Sequence, residues 1–359
     1  MRSAKKSACV LLVFGWFISN QLWAEPVTGA AIVNNQVYFC SQSGIYVERG
    51  DRLDLVFQPD FRSVCLVGYR DTFLLVGGGE PGISGQIGLL DLNSEQLDSV
   101  QVAQDLIYAV DVRNNKAVLA CADGSVRTLL LPNLTPGEVV CRHTAAVTVA
   151  RFSNNGLWLA SGALDGLVIL SSPTNEIKPI LLQDHTAKVE CLTFSPDNRF
   201  LASGARDGKV RIHAVSHRKR PTIKTSSVRL VRTYTSLGLE KTILAPSSRM
   251  MNNNRQAGYD GISAIAWGGI TETLVAGTSK GTLYQLSLVD TEWHRFHTGQ
   301  PRRLVRPGRI DEQINALEPA PTSVNSADTM GCICSLTFHP SGQLYISHHQ
   351  VTRGLLSPP

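Results

Sequence analysis

Short apolar runs separated by turn-forming residues alternate along most of the chain. In residues 143–170, an alternating run ends at Phe152, a Ser-Asn-Asn-Gly turn follows, and a second apolar run ends in Ser-Gly. An Asp-Gly turn then leads into a third run. Asp-Gly between apolar runs favours a β-hairpin because both residues tolerate a positive φ. The pattern therefore predicts short β-strands joined by tight turns, with negligible helix.

The same arrangement recurs along the sequence. Residues 143–170 and 185–212 align without a gap, so that His143 corresponds to His185 and Asp165 to Asp207. Weaker copies follow glycines that mark the turn, namely Gly44, Gly85, Gly124, Gly166, Gly208, Gly281 and Gly354. Because one such unit cannot bury its own faces, several must pack side by side. The sequence predicts seven units.

The two best units resemble the WD-repeat, or G-beta-like repeat, family. Each has a His, an apolar-x-Phe-Ser run, Ser-Gly and Asp-Gly, whereas Ser171 and His213 stand where the family has Trp. The resemblance implies an all-β fold, a seven-bladed WD-repeat-type β-propeller. It also implies a structural hydrogen-bonded network in each blade, formed by His143, Ser161 and Asp165 in one unit and by His185, Ser203 and Asp207 in the next.

A single propeller domain is expected over residues 25–359. The expected blades cover approximately residues 27–58, 61–102, 105–141, 143–183, 185–235, 260–297 and 331–359. Two longer connections are expected as insertions at approximately residues 236–259 and 298–330. A repeat array tolerates such insertions because they leave its core unchanged.

Residues 1–24 have the three-part layout of a secretory signal peptide. Arg2, Lys5 and Lys6 precede an apolar run at 9–18, and the segment ends at Ala24. That run is shorter than the roughly 20 apolar residues that span a bilayer; an uncleaved anchor is the alternative. Removing the three basic residues lowers the formal net charge from +5 to +2. We expect an exported protein, periplasmic or extracellular, similar to a bacterial-type member of the family.

Basic residues concentrate after the fifth and sixth units. Residues 216–258 contain nine Lys and Arg against one Glu. We expect a basic face beside the Asp-Gly turns that attracts protein partners, in particular acidic ones; the alternative is that these residues are only solvated. A membrane surface is a second option, and nucleic acid is not expected because Tyr234 is the segment's one aromatic residue. The candidate binding residues are Arg218, Lys219, Arg220, Lys224, Arg229, Arg232, Arg302, Arg303, Arg306 and Arg309.

The sequence contains no recognisable catalytic or cofactor-binding motif. The main prediction is therefore a non-enzymatic scaffold without a cofactor. The alternative is an exported enzyme, or a redox or metal-binding subunit, that uses a site over the channel or the cluster of Cys332, Cys334 and His349. Two cysteines two residues apart on a strand share a face, and thiolates with an imidazole suit copper or zinc. Ordinary strand filling is the interpretation that the pattern favours for this cluster.

Overall fold

The computed structural model describes residues 27–49, 52–174, 178–183, 185–219, 224–235, 261–267, 273–279, 283–287, 293–296, 333–338 and 344–348. Within these ranges, all regular secondary structure consists of β-strands, which confirms the all-β prediction. The same ranges contain no helix long and apolar enough to cross a membrane.

The first four sheets follow one another along the chain, and each consists of four consecutive antiparallel strands. The first contains β1 (Gly29–Val33), β2 (Gln36–Cys40), β3 (Ile45–Arg49) and β4 (Arg52–Phe57). The second contains β5 (Ser63–Tyr69), β6 (Phe73–Glu80), β7 (Ser84–Asp91) and β8 (Gln96–Ala103). The third contains β9 (Ile107–Arg113), β10 (Lys116–Cys121), β11 (Ser125–Leu130) and β12 (Thr135–Arg142). The fourth contains β13 (Val147–Phe152), β14 (Leu159–Ala163), β15 (Val168–Ser171) and β16 (Ile180–Leu182).

Three further sheets are described after residue 183. The fifth contains β17 (Val189–Phe194), β18 (Phe200–Ala205), β19 (Lys209–Lys219) and β20 (Lys224–Thr235). The sixth contains β21 (Ile262–Trp267), β22 (Thr273–Thr278), β23 (Leu283–Ser287) and β24 (Trp293–Phe296). The last is the pair β25 (Ile333–Phe338) and β26 (Leu344–His348). These sheets repeat one antiparallel unit along the chain.

The core lies between successive sheets. Leu75 and Ile87 of the second sheet pack in one cluster with Leu119 of the third, and four further clusters join the other neighbouring sheets from the first to the sixth. The first strand of each sheet contacts the first strand of the next, from β1 through β5, β9, β13, β17 and β21 to β25. β25 also contacts β1. The second to fifth sheets therefore bury both of their faces against their neighbours, as a repeat of this kind requires.

The Ser-Gly dipeptide has a packing role in the fourth and fifth sheets. A Cβ atom added at Gly162 would lie 2.5 Å from Cγ1 of Val189, and one added at Gly204 would lie 2.5 Å from Cγ2 of Ile262. Val189 and Ile262 each open the first strand of the following sheet. Glycine at this position therefore allows neighbouring sheets to approach closely.

The outer hairpin of the fifth sheet is longer than the sheet that carries it. β18 pairs with β19 from Gly204↔Val210 to Phe200↔Ala214, and the Val215 N–H still donates to the Arg199 carbonyl. β19 and β20 remain paired four residues further, from Ser216↔Ser227 to Lys219↔Lys224. We call residues 216–219 and 224–227 the ribbon. At about 3.4 Å per residue, it extends about 13 Å beyond the sheet.

Candidate functional site

A buried polar network links the fourth sheet to the connection that precedes it. Nε2 of His143 lies 2.8 Å from Oγ of Ser161, and Nδ1 of His143 lies 3.5 Å from Oδ1 of Asp165. The carboxylate of Asp165 also accepts hydrogen bonds from the Thr144 N–H and from the Leu167 N–H, at 3.1 and 2.9 Å. Burial lowers the pKa of His143, and Asp165 offsets only part of this effect. The imidazole is therefore held neutral near pH 7.

The fifth sheet has the same network with an added cation. Nε2 of His185 lies 2.8 Å from Oγ of Ser203, and Nδ1 of His185 lies 3.1 Å from Oδ2 of Asp207. Nη1 of Arg211 donates to Oδ2 of Asp207 at 3.0 Å. Burial opposes ionisation of Asp207, but hydrogen bonds from His185 and Arg211 outweigh it, so the pKa of Asp207 is lowered. Asp207 therefore stays ionised inside the network.

Arg211 also approaches His185 directly. Nη1 of Arg211 lies 2.5 Å from Nδ1 of His185, the same nitrogen that lies 3.1 Å from Oδ2 of Asp207. The network in the fifth sheet thus joins a guanidinium, a carboxylate, an imidazole and a hydroxyl.

The spacing between this arginine and its aspartate is a signal that is visible in the sequence. Arg211 follows Asp207 by four residues, and Arg127 follows Asp123 by four residues in the third sheet. Nη2 of Arg127 lies 3.3 Å from Oδ2 of Asp123. In the fourth sheet the same position is Ile169. An Arg four residues after the Asp of an Asp-Gly turn therefore marks the blades in which that aspartate pairs with a cation.

Each network contains Asp, His and Ser, the residue types of a hydrolytic triad. Their burial nevertheless fits a structural role. Ser161 and Ser203 are both 0% exposed, so neither hydroxyl reaches a substrate. Nucleophilic catalysis needs an accessible hydroxyl beside its base. The geometry therefore fits the structural role that the family resemblance implies.

Cys141, in the outer strand β12 of the third sheet, contacts the network of the fourth sheet. Its Sγ lies 3.6 Å from Oγ of Ser161. Ser171, which stands where the family has Trp, donates from its hydroxyl to the Leu159 carbonyl at 3.3 Å. The Cys141 thiol thus contacts the Ser161 hydroxyl in a unit that has Ser171 in place of the Trp of the family.

The five cysteines described within residues 27–219 are free thiols of low reactivity. Cys40, Cys65, Cys121 and Cys191 are buried, and Cys141 is half-buried. Burial raises the pKa of Cys40 to about 12 and that of Cys121 to about 12. Because the thiolate is the nucleophile and the metal ligand, these side chains act as small apolar groups in the core.

The metal candidate falls largely outside the described ranges. Cys332 and His349 lie there, whereas Cys334 is in β25. Ile333 pairs with His348, and the register shifts before Ser335. Within the described residues, no three His, Cys, Asp or Glu side chains are grouped so as to hold a metal ion. A metal site at this cluster stays a prediction.

The structure places the basic residues of the fifth sheet along its outer hairpin. Lys209 pairs with Thr235 next to the Asp207-Gly208 turn, whereas Lys219 pairs with Lys224 at the opposite end. This placement differs from the expectation that these residues all lie on the face of the Asp-Gly turns, because β19 continues past the sheet before the chain turns. Arg220, Arg302, Arg303, Arg306 and Arg309 lie outside the described residues.

The register also divides the basic residues between the two faces of the hairpin. Arg218 lies opposite Thr225, Arg229 opposite Ala214, and Arg232 opposite Ile212. A register shift between Ile212 and His213 inserts one residue in β20, so these three arginines share one face. Lys219 and Lys224 lie on the other face.

Three apolar side chains are exposed at the end of the sheets that carries the Asp-Gly turns. Ile83, in the β6–β7 turn, is 70% exposed, Leu164, before Asp165, is 48% exposed, and Tyr108, at the start of β9, is 41% exposed. Oδ1 of Asp105 accepts a hydrogen bond of 2.7 Å from the Gly82 N–H, which holds the β6–β7 turn against the next sheet. Ile83 and Leu164 have no signal in the sequence, because apolar residues in turns follow no periodicity.

Comparison with known proteins now adds to this geometry. Residues 135–170 and 178–213 match the family described as WD domain, G-beta repeat. The comparisons support a WD-repeat family. Each matched segment begins with the outer strand of one sheet, β12 or β16, and ends in the third strand of the next. The WD repeat therefore joins adjacent sheets, and the two buried networks lie inside the matched segments.

Two solved structures, one of them a WD40 β-propeller domain, have a similar fold. A chain in the crystal structure of the mitotic checkpoint complex matches with a TM-score of 0.64 and 14% identity, over 90% of this chain and 87% of that one. The WD40 β-propeller domain of Doa1 matches with a TM-score of 0.62 and 13% identity, over 90% of each chain. At this identity the likeness shows the fold alone. No curated protein sequence matches the chain.

Proposed function

We propose that this chain is a non-catalytic scaffold that holds protein partners on a WD-type propeller. WD40 propellers commonly mediate protein–protein interaction and are generally not enzymes; one of the similar chains belongs to a multiprotein complex. The observation that carries the proposal is the outer hairpin of the fifth sheet, where residues 209–235 contain eight Lys and Arg and no Asp or Glu. Such a concentration of charge attracts acidic partners and speeds their encounter.

The scaffold itself is proposed to be a closed ring of seven blades over residues 25–359. The contacts that link the first strands from β1 to β25, and β25 back to β1, support this arrangement. The insertions expected at residues 236–259 and 298–330 would then lie on either side of the sixth blade. A ring of this kind gives its partners a rigid platform, because every blade is fixed by two neighbours.

Export is part of the same proposal. It rests on the leader-like residues 1–24, for which the expected cleavage follows Ala24. The measurement is N-terminal sequencing of the protein recovered from the periplasm or the medium of cells that express the full chain. A protein that starts at Glu25 is the expected result; an intact N-terminus in the cytoplasmic fraction would contradict export.

Charge reversal tests the scaffold function. We expect a variant with Arg218→Glu, Arg229→Glu and Arg232→Glu to lose partners that the tagged wild-type protein captures from extract of its own cells. The control reverses three exposed arginines elsewhere, Arg62, Arg113 and Arg142, and changes the net charge equally. Quantitative mass spectrometry at low and at high salt reads the result. Equal capture by both variants would remove the basic hairpin from the proposal.

A further inference from the structure

We propose that the outer edge of β20 and the ribbon bind an extended acidic segment of a partner protein, which adds to the fifth sheet as a further antiparallel or parallel strand. The inference rests on the proposed scaffold function and names the chemistry and the binding mode of its partner. It follows from three features of this hairpin, namely an outer edge that no described strand pairs with, its length and its charge.

The free edge comes from the order of strands. β20 is the last strand in the order β17–β18–β19–β20, and among the described residues no strand pairs with its outer side. It has 12 residues, whereas β16 has 3 and β24 has 4. An edge strand presents a row of unpaired N–H and C=O groups that are a template for another strand. β20 is thus the longest such template among the outer strands that the structure describes.

The ribbon adds a second reason for a strand to bind. From Ser216↔Ser227 to Lys219↔Lys224 the sheet has only two strands, because β18 ends its pairing before this point. Two-stranded hairpins are marginally stable alone, and a third strand stabilises them. A partner strand that continues from the edge of β20 onto the ribbon would supply that third strand.

The charge of the hairpin selects an acidic strand. Every formal charge in residues 209–235 is positive. The register places Arg218, Arg229 and Arg232 on one face and Lys219 and Lys224 on the other. Acidic residues at alternating positions of an added strand share one face and meet Arg229 and Arg232 of β20 across the strands, with Arg218 one strand further in. The same positive charges oppose pairing with a basic strand or with a second copy of this hairpin.

A protein strand fits this edge better than a nucleic acid does. Val228, Leu230 and Val231 stand between the basic residues of β20, and Tyr234 is its one aromatic residue. Binding of single-stranded nucleic acid relies on aromatic groups on which bases stack. Apolar positions between charges instead suit the alternating side chains of a β-strand.

The test uses the full mature protein and a fluorescent peptide of alternating Glu and Val as long as β20. We expect the peptide to bind in an anisotropy titration and to slow hydrogen exchange at the amides of β20. The variant Arg218→Glu, Arg229→Glu, Arg232→Glu should weaken binding by about tenfold or more, while the control variant with Arg62→Glu, Arg113→Glu and Arg142→Glu stays within about twofold of wild type. The melting temperature of each variant verifies that it is folded.

Two further probes separate strand addition from charge attraction. A peptide of the same sequence that is N-methylated at four consecutive backbone nitrogens keeps its charge and loses backbone donors on both edges, so we expect binding at least about tenfold weaker. Equal affinity for both peptides would overturn strand addition and leave the scaffold function standing. Tighter binding of a single-stranded oligonucleotide of equal length would also overturn the inference. If neither peptide binds but the wild-type protein still captures partners that the charge-reversal variant loses, the strand-addition site is rejected and the scaffold function is retained.

Discussion

His143 and His185 occupy equivalent positions, yet their neighbours give them different electrostatic surroundings. The carboxylate beside His185 is paired with the buried Arg211, whereas the fourth sheet has Ile169 at that position. Among the described residues, Nδ1 of His143 has no hydrogen-bond partner, and it lies 3.5 Å from the Asp165 carboxylate. In the fourth sheet, this carboxylate is therefore held by the N–H groups of Thr144 and Leu167 and by the Thr144 hydroxyl, without a cation.

The histidine of the fourth sheet should give the protein a measurable pH dependence. Burial lowers the pKa of His143 below its ordinary value of 6.5, so the unfolded chain takes up a proton more readily than the folded one. The stabilisation is fully present above about pH 6.5 and is lost as the pH falls through the folded pKa, at up to about 1.4 kcal/mol per pH unit. Between pH 7 and pH 5, urea unfolding of His143→Gln should show a smaller loss of stability than wild type.

The acidic members of the networks titrate in a separate range, which serves as the control. Hydrogen bonds from Leu167 and Thr144 outweigh burial and lower the pKa of Asp165, and the pKa of Asp207 is lowered as well. Their contribution is present above about pH 4 and is lost only as the pH falls further. Curves for wild type and His143→Gln that remain parallel from pH 7 to pH 5 would show that His143 does not carry the effect.

The network residues show how far single positions could be predicted. His143, Ser161 and Asp165 come from a family pattern, and the structure places all three together. Arg211 was missed although its spacing of four residues from Asp207 is visible in the sequence, whereas Cys141 was missed because it contacts Ser161 from the outer strand of the preceding sheet. A contact between sheets of this kind is not contained in a comparison of repeats along the chain.

At the scale of elements, glycine sets the spacing between sheets. Gly162 and Gly204 occupy the same position in consecutive units, and each faces the first residue of the following sheet's first strand. The sequence predicted the Ser-Gly dipeptide as the end of a strand, and it could not reveal that the missing side chain makes room for a neighbour. Gly85 shows the reverse error: it was used to mark a turn, but it lies within β7, and the turn precedes it.

An alanine at Gly204 should loosen the contact between the fifth and sixth sheets. Its Cβ would lie 2.5 Å from Cγ2 of Ile262 and 2.7 Å from Sγ of Cys191. Overpacking of this kind costs about 1–3 kcal/mol. We expect chemical denaturation of Gly204→Ala to show a loss of that size. Gly29→Ala is the control, because its Cβ would meet its nearest neighbour at an ordinary 3.4 Å; equal losses in both variants would argue against close approach as the cause.

The fifth sheet shows what a repeat pattern leaves undetermined in an element. The fifth blade was expected to end at about residue 235, and its outer strand β20 ends at Thr235. The continuation of β19 to Lys219 was not predicted, since a strand that leaves its sheet and a polar connection have similar composition. The position of the basic residues consequently differed from the expected one, and this difference directs the proposed partner to a sheet edge.

For the whole molecule, repetition was the most informative property of the sequence. Two strong copies located the units, and weaker copies were interpretable only because neighbouring units must cover each other's faces. The all-β fold and the packing of repeated sheets follow from this argument, whereas the four strands of each sheet are what the resemblance to the WD-repeat family implies. The number of blades does not, because the last unit has only β25 and β26 among the described residues.

Closure of the ring can be tested by removing its last sheet, which contains β25 and β26. β25 contacts both β21 and β1, so a chain that ends after residue 330 should leave these two strands with an uncovered side. If the sheets form a closed ring, the truncated protein should melt at least about 8 °C below the full chain and aggregate more readily. A deletion of residues 303–325 is the matched control, since it retains β24 and β25 and shortens only their connection. Loop length has a weak effect on stability, so this deletion should shift the melting temperature by about 2 °C or less. A truncated chain as stable as the control would mean that the first six sheets form a self-sufficient array and that β25 does not close it.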